Sequence, residues 1–265
     1  MLKIYKNFWL VNWAEQWQYR ANLLMYLFYW LVSPIIYLAV WTSIANSKGD
    51  VKGYTANDFI TYYLLLLVVD QITSNIVIHI LADKIMDGAI SSEIIKPVHP
   101  VLTSTLVYNV AFKALNFIGF LPIWVALNFL FKPNYAAITW QNILLAVPFL
   151  IAGFAISFLI SAVITSVAFW TTRVYSIHEF YFALVVLFSG QFVPLTLMPE
   201  MIQSIARYLP FQLMIYFPIE LLLGRLAPGE ILHGVGLAVF WFTFAVVAFK
   251  IVWKRGLKQY SAVGA

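Results

Sequence analysis

Residues 58–100 read DFITYYLLLLVVDQITSNIVIHILADKIMDGAISSEIIKPVHP. From Phe59 to Leu81 the only formal charge is Asp70. About 20 mostly apolar residues suffice for a helix to cross a bilayer core, so 58–81 reads as a span. At Ala82 the chain turns polar, with acids, bases, Gly88, Pro97 and Pro100, and it turns apolar again by LNFIGFLPIWVALNFLF at 115–131. A charged loop between two apolar runs is the pattern of a chain that crosses a membrane and turns back.

The same length test applied outward gives spans at 22–45, 104–131, 142–170, 180–197 and 231–253, six in all. The fold class is an all-α polytopic membrane protein. Composition agrees: of 265 residues 63% are hydrophobic and 10% charged, against about 25% charged in an average soluble domain. Mean hydropathy is +0.86. The absence of cysteine excludes disulfides, thiolate metal sites and thiol catalysis. The net charge of +5 sits beside apolar runs, so anionic lipid headgroups are the expected counter-charge rather than nucleic acid. The first long apolar run begins near Asn22, too late for a cleavable signal peptide.

An even number of spans puts both termini on one side. Lys3, Lys6, Arg20, Lys84, Lys96, Arg173, Lys250, Lys254, Arg255 and Lys258 fall on that side, and Lys48, Lys52, Lys132, Arg207 and Arg225 on the other. The excess of bases places both termini in the cytoplasm.

Three segments stand apart from the spans. Residues 1–21 contain Tyr5, Trp9, Trp13 and Trp17 at intervals of four, an aromatic ribbon on one helix face. Such a helix lies in the headgroup interface; the alternative packs its aromatics against other spans. In the loop 82–100, Ala82–Ile95 can form a short helix with Ile85, Met86, Ala89 and Ile90 on one side and Asp83, Lys84, Asp87 and Glu93 on the other. Pro97 and Pro100 end it. Its apolar side suits a groove on a soluble partner; the alternative is a solvated connector. Residues 198–230 are half apolar and broken by Pro199, Pro210, Pro218 and Pro228. Pro199 suits a first helical turn. Met201 or Ile202, Ile205 and Leu209 follow at helical spacing, and a second piece, 211–223, ends at Gly224. Two half-helices dipping from the outer face fit this pattern; an ordinary external loop is the alternative. The domain division is then 1–21 for the interfacial helix and 22–265 for the six-span unit.

Two charges lie deep in spans. Asp70 is about 18 Å from the outer end of its span at 1.5 Å per residue, and Lys113 is near mid-depth of the next. Each costs about 2.5–3.5 kcal/mol unpaired. They pair, or one faces the substrate, or Lys113 snorkels to the inner interface.

No G-x-x-x-x-G-K-[ST] loop, H-E-x-x-H or G-x-S-x-G occurs. His79, His99, His178 and His233 are scattered, without metal-ligand spacing. The chain therefore has no recognisable ATPase, metal or hydrolase constellation.

In order and spacing the segments resemble the ABC-2 type exporter permeases over nearly the whole chain. The bacterial branch with a glycine and a basic-Pro step after span 2 is matched by Gly88, Lys96 and Pro97. Its G-x-x-x-P-L element is matched by Gly190, Pro194 and Leu195, and its L-P-F by Leu209, Pro210 and Phe211, followed by Pro218 and Gly224. Many members have arginine where Lys96 stands, which exchanges a fork for a point charge. The resemblance implies a transport subunit in the bacterial plasma membrane that is not itself an enzyme and binds no cofactor, ATP and Mg being held by two cytoplasmic ATPase subunits. It implies pairing with a second permease, identical or related. Residues 82–100 would be the coupling helix, with Ile85, Met86, Asp87, Gly88, Ile90, Glu93, Lys96 and Pro97 at the contact. The loop 171–179, with Arg173 and Glu179, would be a second contact. Phe192, Pro194, Pro199, Pro210, Phe211 and Pro218 would form the outer gate. An amphiphilic, lipid-linked glycan or drug-like substrate would pass along spans 1, 2 and 5. The rivals are a secondary transporter or channel that runs on Asp70 and Lys113 without ATP, and a non-transport assembly factor.

Overall fold

The computed structural model describes residues 2–18 and 20–260; the side chains of Lys3, Tyr5 and Arg20 lie outside what it describes. The chain is α-helical, and among the described residues the one β feature is an isolated bridge between Val51 and Tyr54. The helices are α1 (Leu2–Gln18), α2 (Arg20–Lys48), α3 (Ala56–Thr73), α4 (Val77–Met86), α5 (Ser91–Ile94), α6 (Leu106–Phe131), α7 (Trp140–Ser166), α8 (Val174–Phe188), α9 (Glu200–Ala206), α10 (Tyr216–Leu222) and α11 (Pro228–Gln259).

Among the described residues five helical stretches are long and apolar enough to cross a membrane: Leu24–Lys48, Ala56–Met86, Val101–Phe131, Trp140–Phe169 and Pro228–Gln259. The expected span at 180–197 is the exception. Its helix is Val174–Phe188, 15 residues and so about 22 Å long, short of the roughly 30 Å hydrocarbon core. Ser189–Pro194 leave the helix because Gly190 sits at φ +87°, a conformation only glycine enters freely.

The second long stretch is the axis of the bundle. Of its most apolar window 61% is buried, against 11% for that of α11. Phe59, Tyr62, Tyr63 and Leu66 of α3 meet Ile156 of α7 and Leu213, Ile215 and Ile219 of the 189–222 segment in the largest core cluster. α1 packs chiefly against α6. Its buried stripe is polar, Asn12 and Gln16, while Trp9 stacks on Trp13 at 5.6 Å and Trp17 stays 60% exposed.

Tethers mark the two ends. At one, Arg225 reaches Asp58 at 2.8 Å and lies over the Tyr54 ring, and Asn142 Nδ2 donates to the Leu222 carbonyl at 3.3 Å. At the other, the Tyr175 hydroxyl donates to Asp83 at 2.7 Å and the Tyr260 hydroxyl to the Gly88 carbonyl at 2.8 Å. Between Tyr175 and Arg225 the chain has moved from one end of the bundle to the other.

Candidate functional site

The second membrane-crossing stretch is two helices rather than the single span expected at 58–81. α3 stops at Thr73, Ser74 is extended (φ −69°, ψ 167°), and α4 starts at Val77. A break inside a membrane strands backbone groups that water cannot reach, so each needs a protein partner. The Asp70 carbonyl accepts from both the Ser74 amide and the Ser74 hydroxyl, at 2.9 and 2.6 Å. The Gln71 carbonyl accepts from Lys113 Nζ at 2.7 Å. At the start of α4 the Val77 amide donates to Asn75 Oδ1 at 3.2 Å.

Lys113 therefore serves the end of a helix, where a cation also meets the negative pole of the macrodipole. Its other bond is to Ser74 Oγ at 3.0 Å. Lys113 does not snorkel, and it forms no contact ion pair with Asp70 among the described residues, whose salt bridges join Lys84 to Glu93 and Arg225 to Asp58 and Glu220. The two charges sense each other only through space.

Asp70, only 9% exposed, lines a groove open to one flank of the bundle. Tyr26, Tyr29 and Trp30 of α2 form one wall. His79 of α4 and Glu179, Tyr181 and Phe182 of α8 form another, with Ser157 and Ser161 of α7 behind. Gln191, Met214 and Ile215 of the 189–222 segment complete its lining. Glu179, expected in a cytoplasmic loop with Arg173, is thus in this wall, because α8 already starts at Val174; Arg173 remains exposed in the short turn before it.

The expected half-helices at 198–230 are shorter than two continuous pieces. α9 follows Pro199 and stops at Ala206; Pro210–Leu213 is a 3-10 turn; α10 contains Pro218 and ends at Leu222. Ile202 rather than Met201 faces the core; Met201 is 75% exposed. Just before this segment, two carbonyls of the irregular backbone at 189–194 are held by side chains of the spans. The Gly190 carbonyl accepts from the Tyr62 hydroxyl at 2.9 Å, and the Phe192 carbonyl accepts from the Tyr63 hydroxyl at 2.6 Å and from Trp41 Nε1 at 3.0 Å. The Ser189 carbonyl receives the Tyr216 amide at 2.8 Å. The Phe192 ring meets Tyr37 edge-on at 5.3 Å, and Phe211 packs on Tyr181 and Phe188. Pro194 opens the 3-10 turn Leu195–Leu197.

The loop after α4 differs most from expectation. Ala82–Ile95 is not one helix: α4 ends at Met86, Gly88 turns at φ +78°, and α5 is a separate turn. Ile85 and Ile90, expected to face a partner, are buried at 3% and 0% against Phe158, Ala168, Val174 and Trp253. Lys84 pairs with Glu93 at 2.7 Å, and Ser91 Oγ bonds the Gly88 carbonyl. Met86 is half-buried beside this cluster. What projects is Asp83, Asp87, Ala89, Ser92, Ile95, Lys96 and Pro97. Ile95, at 85%, is the most exposed large hydrophobic among the described residues. Sequence periodicity missed it because it treated the loop as one helix and assigned the inward side as the outer one.

The structure is thus a helical bundle with a broken central stretch, a buried carboxylate lining a groove and an apolar tip on a charged loop. The sequence profile described as ABC-2 family transporter protein matches residues 24–264, and the chain belongs to that family of multi-pass membrane proteins. No curated protein matches the chain.

Proposed function

We propose that the chain is the permease subunit of an ATP-binding-cassette exporter in a bacterial plasma membrane. ATP and Mg are bound by two separate cytoplasmic ATPase subunits, and a second permease, identical or related, completes the path. Six crossings are supported by the tethers: α8 alone is short, but 174–225 as a whole passes from the Asp83 end to the Asp58 end. The base distribution then puts both termini in the cytoplasm. The exposed Trp17 on α1 suits a helix at headgroup level.

The observation that supports ATPase coupling most strongly is Ile95. A branched side chain 85% exposed on a charged loop suits a pocket on a soluble partner. The turn that presents it is pinned by Lys84–Glu93 and by Tyr260 on Gly88, so a push on Ile95 is passed to α4 and from there to the break beside Asp70. The outer gate is assigned to Phe192, Pro194, Pro199, Pro210, Phe211 and Pro218; the Phe192 carbonyl at its start is held by Trp41 and Tyr63 of the spans, and the neighbouring Gly190 carbonyl by Tyr62.

The test is co-purification of tagged permease with its ABC ATPase. Ile95→Asp should release the ATPase, since the carboxylate would have to be desolvated in the pocket. Asp87→Asn at the rim should weaken assembly only mildly and reduce its salt sensitivity. Full retention of the ATPase by Ile95→Asp made in normal amount would remove the coupling role from this loop.

A further inference from the structure

The groove beside the break in the central span has a sign. Among the described residues no lysine or arginine lines it; the acids and histidines that do are Asp70, Glu179, His79 and His178. The nearest base, Lys113, spends its ammonium on the Gln71 carbonyl and Ser74 Oγ. Among the described residues no hydrogen-bond donor meets the Asp70 carboxylate, and the salt bridges involve other acids. A buried carboxylate without a contact partner is costly in a membrane, and intramembrane acids mark substrate paths. The buried hydroxyls of Ser161 and Tyr181 line the same site, 1% and 9% exposed as residues, with Ser157 beside them. They offer further acceptor lone pairs.

The walls add the second half of a recognition chemistry. Tyr26, Tyr29 and Trp30 bring three aromatic rings from α2 to the mouth, and Tyr29 is 70% exposed there. Aromatic faces attract organic cations, quaternary ammonium groups above all, and they equally accept the apolar body of an amphiphile.

We infer that this groove is the entry site for a cationic amphiphile, with Asp70 as the counter-charge to its head and Tyr26, Tyr29 and Trp30 as the wall against which it lies. The inference deepens the exporter function above and rests on it for direction of transport, but binding itself does not require the ATPase. It also narrows the substrate: a lipid-linked glycan carries phosphate, and among the described residues the groove has no lysine or arginine to receive one.

The experiment uses the purified full-length permease in phosphatidylcholine nanodiscs, without ATPase, and follows the polarisation of rhodamine 6G, a fluorescent lipophilic cation. Saturable binding is expected. Decyltrimethylammonium should displace the dye, and decanol and decyl phosphate should not. Asp70→Asn should weaken binding by about tenfold or more, the effect of removing one partner of a buried charge pair. Tyr29→Leu, which keeps an apolar side chain on an exposed wall, should weaken it about threefold. If Asp70→Asn does not fold, the competitor series on the unaltered protein and Tyr29→Leu still decide. Displacement by decyl phosphate as strong as by decyltrimethylammonium overturns the inference, as does unchanged affinity in the variants that fold. Release or retention of the ATPase by Ile95→Asp bears on coupling alone, so the two failures are distinguishable.

Discussion

At the scale of single residues, the two deep charges divide their work. Lys113 closes the break in the central span, and Asp70 faces the groove. Lys113→Met leaves the Gln71 carbonyl without its donor and should cost about 1–3 kcal/mol, read as a lower midpoint of thermal unfolding in detergent. Asp70→Asn removes a buried charge that has no contact partner, so stability should hold or rise while cation binding falls. A contact pair would behave otherwise: Asp70→Asn would destabilise as much as Lys113→Met, and the double variant would recover part of the loss. The sequence shows that two charges lie at mid-depth and that burial requires an answer for each. It does not show that the answer for Lys113 is a backbone carbonyl 42 positions away in the chain. Pairing is the natural expectation when only side chains are counted; the orphaned carbonyls come into view only with the break.

At the scale of elements, apolar length located the long helices but not their interruptions. Ser74-Asn75 lies in a run whose mean hydropathy stays high, with no proline and no glycine to announce a stop. The signal was there in a weaker form, since Ser and Asn are the residues that hydrogen-bond local backbone. The loop at 82–100 was legible as a functional feature and illegible in its facing. Ala82–Ile95 has a helical apolar stripe, yet Gly88 at φ +78° ends α4 and rolls Ile90 inward onto the core. Two consequences separate structure from docking. Ile85→Asp places an uncompensated charge in the core and should lose about 3–5 kcal/mol of stability, whereas Ile95→Asp should change stability by no more than about 0.5 kcal/mol. Thermal unfolding of the isolated permease reads both, and equal losses would mean that Ile95 is packed rather than presented. Gly88→Ala meets the left-handed penalty of about 1–2 kcal/mol and should loosen the turn, seen as faster proteolysis between Met86 and Ile95. The 198–230 segment was legible from its prolines as broken and apolar, but 189–197 was read as the end of a span, and the anchors there were not legible: Trp41, Tyr62 and Tyr63 look like ordinary span aromatics until their polar tips are found on the Gly190 and Phe192 carbonyls.

At the scale of the whole molecule, the class of protein was the most legible feature, because length, apolarity and loop charge act additively over many residues. Membrane topology follows from the same sums. The chain has no cysteine, so single cysteines can be placed at will and labelled with an impermeant maleimide. Positions 50 and 135 should label from outside intact cells, and 87, 95 and 172 only after permeabilisation; outside labelling at 95 would invert the molecule. The central claim is that the loop tip at Ile95 is where an ATPase grips this permease. It is tested most directly by a photocrosslinker on a single cysteine at 95, irradiated in membranes containing the ABC ATPase. The account predicts a permease–ATPase adduct from 95 and none from a probe at 135; no adduct from 95, with the ATPase present and the permease folded, would contradict it.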